Sequence, residues 1–170
     1  SGKVTPNGKL TTTWAYKYDD YSTKEGITTK EVPYKEGIYV GYRYFDTFGV
    51  TPRYPFGYGL TYSKFKYEVF DIYHFDTKVR LKIKITNLGN YKAKEVIQVY
   101  LSKPNGFLGN PKSELVRYQK TKRLKPKEEQ IITITFDIKE FAAYDDCGKT
   151  GYKNAFVLEK GIYKILLGFD

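Results

Sequence analysis

Proton-transfer or nucleophilic chemistry in this 170-residue chain would have to come from few groups: one histidine, one cysteine and 19 acidic residues. The acidic residues include neighbours at Asp19-Asp20, Glu128-Glu129 and Asp145-Asp146. A carboxylate pair carries general acid–base work only if both groups reach a common reacting atom. Sequence neighbours in polar loops point apart into water, so these pairs are expected to be solvated turns. Asp145-Asp146 also lacks the oxygen-ligand spacing of a dedicated calcium loop. His74 lies at a strand end with no identifiable proton-transfer partner, and a surface position is expected for it. Cys147 lies in the polar run from Asp145 to Thr150, where a semi-exposed thiol without an activating neighbour is expected. A lone cysteine excludes an internal disulfide and a thiolate zinc cluster. No metal and no cofactor is expected.

The more informative residues are aromatic. The chain carries 18 Tyr and 11 Phe, and eight of them fall in two glycine-punctuated blocks, Glu36–Asp46 and Tyr54–Tyr62. Pro52, Pro55, Gly57 and Gly59 remove donors and weaken regular structure, so residues 16–65 read as an extended strap, neither helix nor sheet. The candidate contact residues are Tyr39, Tyr42, Tyr44, Phe45, Tyr54, Phe56 and Tyr62. Three roles fit rings in such a strap. They could bury against a neighbouring body, stack on sugar rings, or stack on nucleobases beside Arg43 and Arg53. Arg43 and Asp46 are spaced to brace the strap by a salt bridge.

The elements that must position these rings follow from residue 66 onward. Strands are expected near 66–73, 78–86, 95–102, 115–122, 130–138, 154–158 and 161–168. Val79 to Ile85 alternates strictly, and Ile132, Ile134, Phe136 and Ile138 alternate with Thr133, Thr135 and Asp137. Turn residues separate the runs at Asn87–Asn90, Asn105-Gly106, Lys125-Pro126 and Glu159–Gly161. This spacing predicts an all-β fold, an antiparallel two-sheet sandwich of immunoglobulin-like architecture with an extended N-terminal linker strap. Tyr100, Phe136, Ile83 and Ile134 are expected in its core.

The formal charge of +10 invites a polyanion-binding reading. Yet Arg80, Lys82 and Lys84 alternate with apolar residues as on a solvated strand face, and Glu128-Glu129 follows the basic run Lys120–Lys127 directly. No nucleic-acid partner is expected, and polyanion binding is the weakest alternative. No run reaches the ~18 apolar residues of a membrane helix, so a soluble chain without a membrane partner is expected. The start at Ser1 suggests a processed or partial chain.

Several words resemble glycoside hydrolase family 3, the beta-glucosidases and beta-xylosidases. Gly41–Asp46 is similar to the family's GYRYFD block and Pro55–Tyr62 to its PFGYGLSYT block. Ile85–Gly89, Lys94–Tyr100, Leu124–Pro126, Ala143–Asp145 and Glu159–Tyr163 resemble its fibronectin type III-like domain. Lys127 stands where that family often has glycine. Gly8-Lys9-Leu10 resembles the close of the family's α/β sandwich domain, although Thr11 replaces its usual proline.

The resemblance implies three segments: 1–15 as the tail of a missing α/β sandwich domain, 16–65 as the aromatic linker strap, and 66–170 as the fibronectin type III-like sandwich. A retaining glycosidase needs two carboxyl groups about 5–5.5 Å apart. The family's nucleophile word is absent, because Trp14 follows Thr13 rather than Asp, and the Lys-His pair that grips sugar hydroxyls is absent too. The chain is therefore expected to be a non-catalytic architectural module of a beta-glucosidase-like enzyme that hydrolyses terminal beta-glycosidic bonds. Its partners would be the catalytic barrel and α/β sandwich domains of that parent, a bacterial protein either cytoplasmic or secreted. The alternative is an autonomous carbohydrate-binding module with oligo- or polysaccharide as partner, its rings on the strap or on the Asn105–Gly109 loop. Rings left uncovered would make the isolated chain self-associate.

Overall fold

The computed structural model describes residues 2–24, 30 and 34–168; part of the strap expected over 16–65 lies outside them. The body is an antiparallel β-sandwich. One sheet has the order β1-β2-β5, from β1 (Phe65–Phe75), β2 (Lys78–Asn87) and β5 (Glu129–Asp137). The other has the order β4-β3-β8, from β3 (Val96–Ser102), β4 (Glu114–Lys120) and β8 (Lys164–Leu167). A short hairpin of β6 (Ala143–Asp145) and β7 (Ala155–Val157) adds a third, two-stranded sheet, and β6 was not among the expected strands.

Strand alternation builds the core. Leu81, Ile83 and Ile85 of β2 and Ile132, Ile134 and Phe136 of β5 face inward from one sheet. Ile97, Val99 and Leu101 of β3 meet them from the other, with Leu124 and Phe141 between. Each of these apolar side chains, once buried, contributes on the order of 1.5–3 kcal/mol. The opposite face of β2 is a charge ladder: Lys84 pairs with Glu68 at 3.0 Å, Lys82 with Asp71 at 3.0 Å, and Lys66 with Glu68 at 2.9 Å. The basic side chains alternating along β2 thus lie on the outer face, Lys82 and Lys84 within this ladder.

Tyr100 is fully buried, but not in the sandwich core. Val99 and Leu101 hold the inner parity of β3, so Tyr100 and Gln98 point to its outer face. Something else must cover that face, and it is the strap. This explains why β3 is apolar on both parities.

The strap itself contains an α-helix, α1 (Tyr42–Phe48), against the expectation of no regular structure. The glycines sit at its two ends rather than inside it. Gly41 occupies the N-cap with φ +57°, and Gly49 ends the helix in the left-handed region at φ +68°. The seven residues between are free of Gly and Pro. Glycine at the cap terminates a helix without opposing the turn before it.

Candidate domain-docking surface

Tyr42 anchors the strap. Its hydroxyl accepts the backbone N–H of Leu115 on β4 at 2.7 Å, and its ring meets Phe56 at 4.8 Å and Tyr100 edge-on at 5.9 Å. Phe45, one turn along α1, is only 2% exposed and packs edge-on against Tyr21 and Tyr44. Asp46 accepts from the Ser113 hydroxyl at 3.1 Å, and the Thr47 hydroxyl accepts the Lys112 N–H at 3.0 Å. Tyr39 donates to the Gly109 carbonyl at 2.6 Å. Strap and sheet are therefore stitched from residue 39 to residue 47.

The Arg43–Asp46 brace expected from spacing is replaced by two separate contacts. Arg43 reaches Glu114 at 3.6 Å, whereas Asp46 turns to Ser113. On a helix, residues three apart share a face, but here the start of β4 and the residue before it supply partners for both. Burial raises the Asp46 carboxyl above its ordinary value, while Ser113 and Lys112 oppose the rise. Burial also pushes the Tyr100 phenol well above its usual range.

Behind the stitched layer the N-terminal tail lies along the second aromatic block. Leu10 N–H donates to Tyr58 O at 2.7 Å, Gly57 N–H to Leu10 O at 2.8 Å, and Trp14 N–H to Tyr54 O at 2.9 Å. Lys9 reaches the nearly buried carboxylate of Glu95 at 2.9 Å. The glycines of the Pro55–Leu60 word serve two close approaches, Gly59 to the tail and Gly57 to β3. A Cβ on Gly59 would sit 2.3 Å from the Gly8 carbonyl oxygen, and one on Gly57 2.3 Å from Gln98 Oε1.

Tail and strap enclose an open groove of about 530 Å³ lined by Pro6, Leu10, Trp14, Tyr54, Tyr58 and Leu60, with Lys9 and two glycines. Trp14 remains 52% exposed and Leu60 66% exposed on its walls. Trp14 meets Tyr54 edge-on at 6.1 Å, and Tyr54 lies 5.0 Å from Tyr58. The lining is apolar, and its one charged group, Lys9, is already paired with Glu95.

The seven aromatic residues singled out from sequence thus divide. Tyr39, Tyr42, Tyr44, Phe45 and Phe56 spend their rings within the stitched layer. Tyr54 lines the groove. Tyr62 stands apart, exposed, with Tyr91 at 6.5 Å. Sequence reasoning missed Trp14, Tyr58 and Leu60 as groove residues; the signal was their place in the tail word and in the second glycine block. Phe107 of the Asn105–Gly109 loop is exposed.

The polar candidates resolve differently from one another. His74 and Cys147 are exposed, and hydrogen bonding to Asp146 raises the Cys147 thiol, the opposite of activation. Glu128 accepts the Lys125 N–H at 2.7 Å and pairs with Lys122. Asp145 is not a solvated turn residue. It is fully buried and accepts the N–H groups of Gly148, Lys149 and Thr150 plus the Thr150 hydroxyl, at 2.7–3.0 Å. Burial alone would raise its carboxyl, but those donors hold it at about 2. The carboxylate closes the β6–β7 loop. Among the described residues no three metal-ligating side chains cluster, and no helix is long and apolar enough to cross a membrane.

Residues 95–170 match the fibronectin type III-like domain. Over 99% of its length the chain is 43% identical to a beta-glucosidase of Ruminococcus albus, and over 98% it is 41% identical to beta-glucosidase A of Butyrivibrio fibrisolvens. Among solved structures, a beta-glucosidase from Paenibacillus barengoltzii superposes over 98% of the chain with TM-score 0.91 at 40% identity. Beta-glucosidase 3B from Thermotoga neapolitana, in complex with alpha-D-glucose, does so with TM-score 0.88 at 35% identity. The chain spans about a fifth of these proteins: 18% and 22% of the two relatives, 19% and 23% of the two structures.

Proposed function

Since residues 95–170 belong to the fibronectin type III-like domain family and the whole chain is the matching region of family 3 beta-glucosidases, we propose that it is an architectural module. It packs against the catalytic barrel and α/β sandwich domains of its parent and holds them in register. The parent hydrolyses terminal beta-glycosidic bonds, and the chemistry resides outside residues 1–170. Residues 1–15 are the tail of the α/β sandwich domain, 16–65 the linking strap, and 66–170 the sandwich.

The groove between tail and strap carries this reading. Its walls are apolar, its only cation is already paired, and Trp14 and Leu60 stand open on a chain that covers about a fifth of its relatives. A sugar site needs polar groups around its stacking ring to hold hydroxyls. An apolar wall instead suits a protein surface, where aromatic anchors in a desolvated centre supply most of the binding energy.

The test is Trp14→Glu with Leu60→Lys in the full-length parent. Docking predicts a lower melting temperature and faster thermal inactivation, with little change in the isolated chain. Equal melting of variant and parent would overturn it. Millimolar or tighter binding of cello-oligosaccharides or xylan by the isolated chain would favour a carbohydrate-binding module instead.

A further inference from the structure

Tail, strap and the outer face of β3 meet around a small cavity of about 10 Å³, lined by Thr13, Tyr42, Phe45, Asp46, Phe56 and Tyr100 with two prolines. That is room for one water molecule and nothing larger. Thr13 comes from the tail, Tyr42 and Asp46 from α1, Phe56 from the second aromatic block and Tyr100 from β3.

The polar groups of this lining do not satisfy one another. Thr13 is 4% exposed, and its Oγ1 is buried with no hydrogen-bond partner, alone in this among the side chains of the described residues. A buried hydroxyl left that way is destabilising, and folded proteins relieve it with another polar group or with an ordered water. The Tyr42 hydroxyl accepts the Leu115 N–H, which leaves its own proton to donate. Asp46 Oδ2 accepts from the Ser113 hydroxyl, and among the described residues no donor reaches Oδ1. Tyr100 already donates to Gln98 Oε1 at 2.5 Å. The cavity thus joins an unpartnered hydroxyl, a spare phenol proton and a carboxylate, within the two to four partners that a buried water takes.

We infer that this cavity is the binding site of one structural water, which links Thr13 Oγ1 of the tail to the Asp46 carboxylate of α1 and accepts from the Tyr42 hydroxyl. Bound there, the water satisfies Thr13 and solvates a carboxylate that packing has half removed from solvent. It ties the tail to α1 by a polar link separate from the backbone pairing at Leu10 and Trp14. The site shares no lining residue with the tail–strap groove, so the docking role of that groove does not enter the inference.

Crystal structures of the full-length protein, of Thr13→Val and of Thr13→Ser, at a resolution that shows ordered water, test it. A water peak within hydrogen-bond distance of Thr13 Oγ1 and Asp46 is expected in the first. It should be lost in Thr13→Val and retained in Thr13→Ser, which keeps the hydroxyl. No peak at the site, or Thr13 bonded directly to Asp46, overturns the inference. Stability separates the two states of the hydroxyl by sign. With the water in place, the nearly isosteric Thr13→Val removes a satisfied hydrogen bond, and melting should fall by a few degrees. With an orphaned hydroxyl the same change removes an unsatisfied group, so equal or higher melting of the variant overturns the inference as well.

Discussion

The ring of Tyr42 stands edge-on to the ring of Tyr100, 5.9 Å away at 80°, so that α1 is seated directly on the outer face of β3. The Tyr42 hydroxyl also takes the Leu115 N–H. The strap is therefore a second layer of the sandwich rather than a loose connection. Removing only the hydroxyl, in Tyr42→Phe, should destabilise the chain by about 0.5–1.5 kcal/mol, the usual net worth of one hydrogen bond. Urea unfolding at fixed m-value measures it.

Phe136 and Ile131 sit on opposite parities of β5. Phe136 is sealed between Phe141 and the guanidinium of Arg117, whereas Ile131 is 55% exposed on the outer face. Phe136→Ala should cost roughly 3–5 kcal/mol. Ile131→Ala should stay within about 0.5 kcal/mol. Comparable losses at the two positions would contradict the register.

Lys127 adopts φ +65° in a tight turn where Glu128 N–H returns to Lys125 O and Pro126 precedes it. A side chain in the left-handed region costs on the order of 1–2 kcal/mol, and glycine avoids that cost at some loss of entropy. Lys127→Gly should therefore stabilise the chain by about 1 kcal/mol, visible as a rise in melting temperature.

Asp145 titrates at about 2 in the folded chain, against an ordinary value of 3.8. A depressed folded value means that the unfolded chain takes up the proton first as pH falls. The stabilisation is thus fully present above pH 4 and is lost progressively toward pH 2. Asp145→Asn, which cannot accept all four donors, should be less stable at neutral pH and show a flatter stability profile between pH 4 and 2. Parallel profiles for the two proteins would assign the acid sensitivity elsewhere.

The sandwich was legible because burial and alternation coincide: Val79 to Ile85 and Ile132 to Phe136 read directly as inward faces. The motif words were legible as words but not as mechanisms. In Ile85–Gly89, the Asn87 carboxamide accepts the Gly89 N–H and donates to Tyr91 O at 2.8 Å, closing its own turn, and donates to Leu124 O at 3.0 Å on a separate segment. Helix α1 was hidden because its flanking glycines read as breakers when they serve as ends. Asp145 was hidden because its four donors lie in the following loop, and acidity in a polar run looks the same whether solvated or buried. Tyr100 needed knowledge of the strap, since one strand cannot announce that both its faces are covered.

The groove makes one more demand on the isolated chain. Trp14 and Leu60 present a continuous apolar wall with Tyr58 and Leu10, and monomeric proteins rarely leave such a patch open beyond a few hundred Å². If the parent's domains cover it in the full-length protein, the isolated chain should cover it by association with another copy. Light scattering over a concentration series should then show a mass rising above 19.8 kDa. Trp14→Glu with Leu60→Lys should restore the monomer, because a charge buried in an apolar contact without a partner is strongly unfavourable. A variant that associates as the parent chain does would place the contact elsewhere. Val69 and Ile72 of β1 are also exposed and form the competing surface, and Ile72→Lys, which leaves the groove intact, separates the two.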